Sequence, residues 1–133
     1  MDLKKTKNSS PRVKVIQKLY NSLMNPDSLI EYPKSQYKKF IKDVVTGTLE
    51  RSNLIEETID KLLTNDIDLK KTDKLLKIIL FAAIFELMFK HGTPKKVIIN
   101  EYLLASEHFL EKIQTGYLNA ILDKIAKELR KDE

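Results

Sequence analysis

Few residues of this 133-residue chain have the types and spacing that catalysis or metal binding requires. The sequence contains no cysteine, which excludes thiolate catalysis, disulfides and cysteine-ligated zinc together. Its two histidines, His91 and His108, stand far apart, and no carboxylate lies at a metal-ligand spacing from either. The sequence also has no glycine-rich phosphate loop and no nucleophile elbow. These residues favour a protein that is not an enzyme and that holds no metal or cofactor.

Basic side chains are the more informative group. The sequence has 24 Lys+Arg against 19 Asp+Glu, a formal charge of +5, and only three of the basic residues are arginine. The densest group lies at the start of the chain. There a mobile arm would carry its lysines toward phosphates, while the first helix would present Arg12 and Gln17 from a fixed position. A lysine-rich surface is also common in proteins that only need solubility, so charge alone leaves RNA binding open. The basic residues of this group are Lys4, Lys5, Lys7, Arg12 and Lys14.

Hydrophobic spacing predicts the elements that hold these residues. Ser10-Pro11 is a helix-start signal, and apolar residues at positions 16, 19, 20, 23 and 24 form one helical face. Similar patterns predict helices that begin near residues 35, 53, 73, 93 and 115, with Asn53 and Thr72 as N-caps of two of them. Only three glycines are present, and no segment alternates like a strand. We therefore predict a flexible basic arm over residues 1–10 and one all-α domain of six to seven helices over residues 11–133.

The most apolar stretch covers residues 75–89 and contains Lys77 and Glu86. A bilayer span needs about 20 apolar residues, so this stretch predicts a buried central helix instead. No secretory leader is evident after the first lysines. The expected protein is soluble and cytoplasmic, without a membrane partner.

Two polar residues interrupt apolar helical segments. Glu86 follows Ile84-Phe85, and Asn100 follows Val97-Ile98-Ile99. An unpaired buried carboxylate is costly, so we expect an internal hydrogen-bonded bridge between helices, with Asn100 or the next helix cap as the partner of Glu86. The alternative is that both residues belong to a surface that binds a partner.

Three motifs in the second half of the chain resemble the NusB transcription antitermination family. Residues 80–87, LFAAIFEL, resemble the family's "LRxAxYEL" helix, and residues 93–102 resemble its "VPxxVxINE" signature. Residues 116–124, GYLNAILDK, resemble "KFVNGVLDK", in the same order and at nearly the same spacing. Residues 12–20 and 40–47 agree more loosely with the first two helices. The resemblance covers about residues 11–127.

This resemblance implies an all-helical fold of two packed helical subdomains and an RNA-binding function. Members of the family pair with a small-subunit ribosomal protein, called NusE in its transcription role. The pair recognises boxA RNA and helps to assemble an antitermination complex on RNA polymerase, notably on ribosomal RNA operons. The family's RNA surface translates here to Arg12 with Lys14 and to Tyr117 with Asn119. Tyr117 offers a ring for stacking on an unpaired base, and core packing is the alternative role of that ring.

Several positions depart from the family pattern. Arg12 alone remains of the family's arginine cluster, and lysine keeps the charge but lacks the planar fork of arginine. Phe81 replaces an arginine and Leu76 replaces a residue that is often acidic, near the end of the central helix where the resemblance places the ribosomal protein. Two alternative functions follow. One is an RNA-guiding domain related to ribosomal RNA cytosine methyltransferases, and the other is a protein-binding helical adaptor with little RNA affinity.

Overall fold

Six α-helices and one short 3-10 helix make up residues 10–133, the part of the chain that the computed structural model describes. No strand occurs among these residues, so the predicted all-α class is confirmed. The first helix begins at Pro11, as the Ser10-Pro11 signal predicts. The elements are α1 (Pro11–Met24), α2 (Lys38–Glu50), α3 (Ser52–Leu62), the 3-10 helix (Leu69–Lys71), α4 (Lys74–Phe89), α5 (Lys95–Ser106) and α6 (Lys112–Leu129).

Helix α4 is the centre of the fold and contacts each of the other five α-helices. It is apolar on nearly all sides, which is why neighbours can cover it on several faces. The buried apolar side chains form one cluster with members from all six helices. Within the described part of the chain, no helix is both long and apolar enough to cross a membrane.

Helix α2 approaches α4 closely at Gly47. A methyl group built on Gly47 would overlap the ring of Phe85 on α4. Glycine in a helix interior costs up to about 1 kcal/mol of stability relative to alanine. The close packing of the Phe85 ring against the α2 backbone explains why glycine occupies this position.

Four helix starts differ from the sequence predictions. Helix α2 begins at Lys38, three residues after the predicted start near residue 35. Helix α4 is capped by Asp73 and not by Thr72, because the Asp73 carboxylate accepts the backbone N–H groups of residues 75 and 76. Helix α3 begins at Ser52 without a side-chain cap, so the predicted cap at Asn53 is wrong. Helix α6 begins three residues earlier than predicted because Glu111 and Gln114 form a reciprocal capping box. These differences move helix ends by a few residues and leave the helix order unchanged.

Candidate nucleic-acid interface

Arg12, a predicted RNA-binding residue, is buried in the protein. Its Nε and Nη2 atoms donate hydrogen bonds to the Glu86 carboxylate at 3.0 and 2.7 Å, in a fork that only arginine provides. The Tyr102 hydroxyl donates to the same carboxylate at 2.5 Å. The guanidinium also lies 4.8 Å from the centroid of the Phe40 ring. Side chains from α1, α4 and α5 thus meet at one carboxylate that is fully buried.

The electrostatics of this cluster hold Arg12 and Tyr102 in fixed protonation states. Burial by itself lowers the pKa of Arg12, but the hydrogen bond and negative charge of Glu86 outweigh it and leave that pKa raised. Burial raises the pKa of Tyr102 well above its ordinary value, and the charge of Glu86 adds to this shift. Tyr102 therefore stays a hydrogen-bond donor and Arg12 stays a cation. Because its guanidinium is committed to Glu86 and its side chain is only 11% exposed, Arg12 must be removed from the predicted RNA surface.

Glu86 and Asn100 do not form the predicted bridge. Glu86 is bridged internally, as expected, but its partners are Arg12 and Tyr102. Asn100 lies on the exposed side of α5, so its assignment as a buried structural residue is wrong. Asn100 and the buried Tyr102 are two residues apart, which is a rotation of about 200° and places them on different faces of α5. Sequence spacing identified the buried carboxylate but not which helix would neutralise it.

Of the other two arginines, Arg130 is engaged inside the protein, and Arg51 lies over an aromatic ring at the surface. Arg130 is 5% exposed and donates to the backbone oxygens of Leu87 at 2.7 Å and Lys90 at 3.1 Å, which belong to the C-terminal end of α4. A guanidinium there satisfies carbonyls that have no partner within the helix and complements the negative end of the helix dipole. The Arg51 guanidinium lies 4.6 Å from the centroid of the Phe89 ring. Arg51 is therefore the one arginine of residues 10–133 that remains exposed.

Lys14 and Gln17 line one wall of a surface groove, here called the α1 groove. It has a volume of about 870 Å³ and lies between α1 and residues 32–38, which lead into α2. Its lining includes the apolar residues Ile41, Leu75 and Phe109. The structure thus brings these two predicted RNA-binding residues together on a concave surface. The remaining lining residues are Lys18, Tyr20, Asn21, Tyr32, Pro33, Ser35, Gln36, Tyr37 and Lys38.

Tyr117 and Asn119 lie in α6, and neither lines the α1 groove. The Tyr117 hydroxyl donates to the backbone oxygen of Asp66 at 2.6 Å, while 40% of the residue remains exposed. Lys124 binds the Asp66 carboxylate at 2.7 Å and ties the same segment to α6. Burial raises the pKa of Tyr117 and the charge of Asp66 adds to the shift, so the hydroxyl remains a donor. Tyr117 is thus fixed at its tip and lies outside the core, and Asn119 is exposed.

Lys4, Lys5 and Lys7 lie outside the described residues. Among residues 10–133, no group of three or more His, Asp or Glu side chains is arranged to hold a metal ion. Tyr20, Tyr32 and Tyr37 were not predicted as RNA-binding residues, and the fold brings them to the α1 groove. The alternation of tyrosines with lysines and amides over residues 32–38 was a signal that could have identified two of them.

Comparison with known proteins identifies the family. The NusB family model matches residues 3–127 of the chain. The chain belongs to the NusB family. A transcription antitermination protein NusB from Rickettsia massiliae is 35% identical over 122 residues, which cover 86% of this chain and 76% of the relative. The family match begins before α1 and ends inside α6.

Other relatives carry the same name. A transcription antitermination protein NusB from Rhodopseudomonas palustris is 35% identical over 94 residues, or 71% of this chain and 54% of the relative. This chain thus spans slightly more than half the length of that relative. A solved structure of NusB from T. maritima has a TM-score of 0.77 at 23% identity, covering 92% of each chain, and it confirms the fold. The names of the curated relatives describe antitermination proteins and no enzymatic reaction, which agrees with the prediction of a protein that is not an enzyme.

Proposed function

We propose that this NusB-family protein is an RNA-binding transcription antitermination factor. It binds boxA-type RNA together with the ribosomal protein NusE, within an antitermination complex on RNA polymerase in the cytoplasm. Membership of the family over residues 3–127, with relatives named for antitermination, is the observation that carries this proposal. The concave basic surface beside α1 and the exposed ring of Tyr117 are compatible with it.

RNA contacts in this proposal come from lysines and from one exposed aromatic ring. Lys4, Lys5 and Lys7 precede α1 in the sequence, and Lys14 follows them on α1. Ammonium groups bind phosphates as point charges, so this part of the affinity depends strongly on salt and weakly on sequence. Base selectivity would then fall to Tyr117, to the neighbouring amides and to the partner protein.

Two positions that the resemblance places near NusE are buried in this structure. Leu76 and Phe81, which depart from the family pattern, are 6% and 8% exposed. They belong to the core cluster and leave almost no side-chain surface for a partner. These two apolar side chains therefore contribute to the core around α4, where charged residues stand in the family pattern. Any NusE surface near this end of α4 must be formed by the side chains around them.

A gel-shift assay with boxA RNA tests the proposal. The RNA is compared with a scrambled sequence of equal composition, with and without NusE. The variant Lys4→Gln/Lys5→Gln/Lys7→Gln removes three charges ahead of α1. The expected result is weaker binding and a log Kd against log salt slope that is lower by about 2, since each phosphate contact on a single strand contributes about 0.7.

The matched control is Lys70→Gln/Lys71→Gln/Lys74→Gln, which removes three exposed charges from the 3-10 helix and the start of α4. This control should keep the wild-type salt slope. Equal binding of boxA and scrambled RNA, in both the presence and absence of NusE, would contradict the boxA proposal. An equal effect of the two triple variants would show that the basic segment has no special role.

The internal use of Arg12 and Arg130 favours a second candidate function. A protein that has lost the planar, stacking cations of its RNA surface could retain only its protein contacts and act as a helical adaptor. In that case NusE would bind normally, while RNA affinity would be weak and unaffected by the lysine variants. A pull-down of NusE beside the gel shift distinguishes the two functions.

A further inference from the structure

We propose that Asp66 is a positioning residue for RNA recognition, because it holds the exposed ring of Tyr117 in one orientation on α6. This inference rests on the proposed RNA-binding function and deepens it, since Tyr117 is the ring assigned there to base recognition. Asp66 lies in the turn between α3 and the 3-10 helix, 51 residues from Tyr117 in the sequence. The contact between them therefore exists only in the folded chain.

Asp66 holds α6 at two points. Its backbone oxygen accepts a hydrogen bond from the Tyr117 hydroxyl at 2.6 Å, and its carboxylate binds the Lys124 ammonium at 2.7 Å. The interval from Tyr117 to Lys124 is about two helical turns, or about 10 Å, so both residues lie on the same side of α6. The ring is thus held at its tip as well as at the backbone, and it cannot turn away while the hydrogen bond is made.

The turn that carries Asp66 is itself tied to the core. Leu63, the C-cap residue of α3, is fully buried, and its backbone oxygen accepts the N–H groups of Asp66 at 2.9 Å and Ile67 at 3.2 Å. Asp68 caps the 3-10 helix that follows, through the backbone N–H of Lys70 at 3.0 Å. The oxygen that receives the Tyr117 hydroxyl therefore belongs to a hydrogen-bonded turn and is a fixed point of the fold.

The ring of Tyr117 remains available to a base although its tip is engaged. Tyr117 is 40% exposed, and the preceding Gly116 is exposed too. A methyl group built on Gly116 would meet no atom within 4 Å, so the surface beside this position is open. Lys124 compensates the charge of the Asp66 carboxylate, which reduces its repulsion of an RNA phosphate.

The hydroxyl is the part of this arrangement that departs from the family pattern. Residues 116–124, GYLNAILDK, resemble "KFVNGVLDK", in which phenylalanine stands at the position of Tyr117. A phenylalanine ring also stacks on a base, but it has no group that can bind the Asp66 oxygen. A side chain that is already ordered loses less conformational entropy on binding, which favours the complex. This chain would therefore bind a base more tightly through a hydroxyl that does not touch it.

The variant Tyr117→Phe removes only the hydroxyl and tests the proposal in the full chain. The measured quantity is the ratio of Kd between boxA RNA with one abasic nucleotide and intact boxA RNA, with the abasic position scanned along the strand. In the wild type this ratio should reach about 5- to 150-fold at the nucleotide that stacks on Tyr117. Tyr117→Phe should lower that ratio about 2- to 5-fold, because only the intact RNA requires an ordered ring. Tyr117→Leu should bring the ratio close to that of the other positions.

The variant Asp66→Asn tests the second contact, because it keeps the backbone oxygen and removes the ion pair with Lys124. It should also lower the ratio, since the turn is then held to α6 at one point only. Asp43→Asn is the matched control. It makes the same change of charge at another ion pair, with Lys39 on α2, and should leave the ratio at the wild-type value. Melting temperatures within a few degrees of the wild type would show that each variant is folded.

The outcomes separate this proposal from the function on which it rests. A wild-type ratio in both Tyr117→Phe and Asp66→Asn would overturn the positioning role and leave the RNA-binding function standing. An equal fall of the ratio in Asp43→Asn would assign the effect to net charge and overturn the role of Asp66. An unchanged ratio in Tyr117→Leu would show that the ring does not stack on RNA and would also overturn it. Failure of the wild type to bind boxA RNA at low salt would overturn the proposed function together with this inference.

Discussion

The buried pair of Arg12 and Glu86 makes a quantitative prediction about stability. The variant Arg12→Met removes both charge-assisted hydrogen bonds but keeps a side chain of similar length to fill the space beside Phe40. It leaves the fully buried Glu86 carboxylate with Tyr102 as its remaining partner. Removal of one member of a buried pair costs about 3–5 kcal/mol. We expect a loss of about 3–4 kcal/mol, since the 11% exposure of Arg12 gives water some access.

This loss converts to a measurable shift in melting temperature. An unfolding entropy of about 2.1 cal/mol/K per residue gives this 133-residue chain about 3.6 °C for each kcal/mol. Arg12→Met should therefore melt about 11–14 °C below the wild type. Lys14→Met, on the same helix but only partly buried, is the control and should change the free energy of unfolding by less than about 0.5 kcal/mol.

Substitution of Glu86, the other member of the pair, should cost less free energy of unfolding than Arg12→Met. Glu86→Leu leaves Arg12 without its carboxylate, but the edge of the guanidinium is near solvent and 4.0 Å from the Glu101 carboxylate. The expected loss is about 1–3 kcal/mol. The triple variant Arg12→Met/Glu86→Leu/Tyr102→Phe removes every buried polar group of the cluster together. It should therefore lie within about 1–2 kcal/mol of the wild type, as replacements of buried ion pairs by apolar residues often do.

Urea denaturation of these variants, followed by circular dichroism, measures each free energy. A loss below about 1 kcal/mol in Arg12→Met, or a triple variant as unstable as Arg12→Met alone, would contradict a stabilising role for the buried pair. RNA binding gives a second test at a temperature where Arg12→Met is folded. That variant should bind RNA within a few-fold of wild type, and a loss beyond tenfold would return Arg12 to the RNA surface.

Three further predictions concern helix contacts. Gly47→Ala should lower the free energy of unfolding by about 1–2 kcal/mol. The overlap with Phe85 costs about 1–3 kcal/mol and outweighs the gain in helix propensity of up to about 1 kcal/mol. In urea denaturation, adding Phe85→Leu to the Gly47→Ala variant should recover part of this loss. Arg130→Lys should destabilise the protein by about 2–3 kcal/mol, because one ammonium cannot satisfy the carbonyls at the end of α4. Unchanged hydrogen-exchange protection of the last α4 amides would contradict this prediction. The pKa of Glu133 is lowered, first by its hydrogen bond from the Lys95 backbone and then by Arg130, so its contribution to stability is present above the ordinary carboxyl pKa and is lost as pH falls through the lowered value. The difference in stability between wild type and Glu133→Gln should therefore shrink on acidification, and a difference that grows would contradict the sign.

Much of the helical framework was determined by the sequence alone. The proline at the first position of α1, the apolar periodicity and the scarcity of glycine predict an all-α chain, and the nearly uniform apolar composition of α4 predicts its central place. These features act over one to four residues of chain, so they can be read without knowledge of distant contacts. Cap identities were less predictable, because Asp73 and Thr72 offer similar side-chain acceptors at adjacent positions.

Only the tertiary structure decided how the polar residues are used. Sequence marks Arg12 as a cation near the chain start, but its role depends on Glu86, 74 residues away, and on Tyr102. Burial of a carboxylate demands a cation, and helix packing alone determines which one can reach it. In the same way, the tyrosines of the α1 groove come from two segments that meet only after α1 and α2 pack together. The sequence specified the helices and the supply of charge, and the packing divided that charge between the core and the proposed RNA surface.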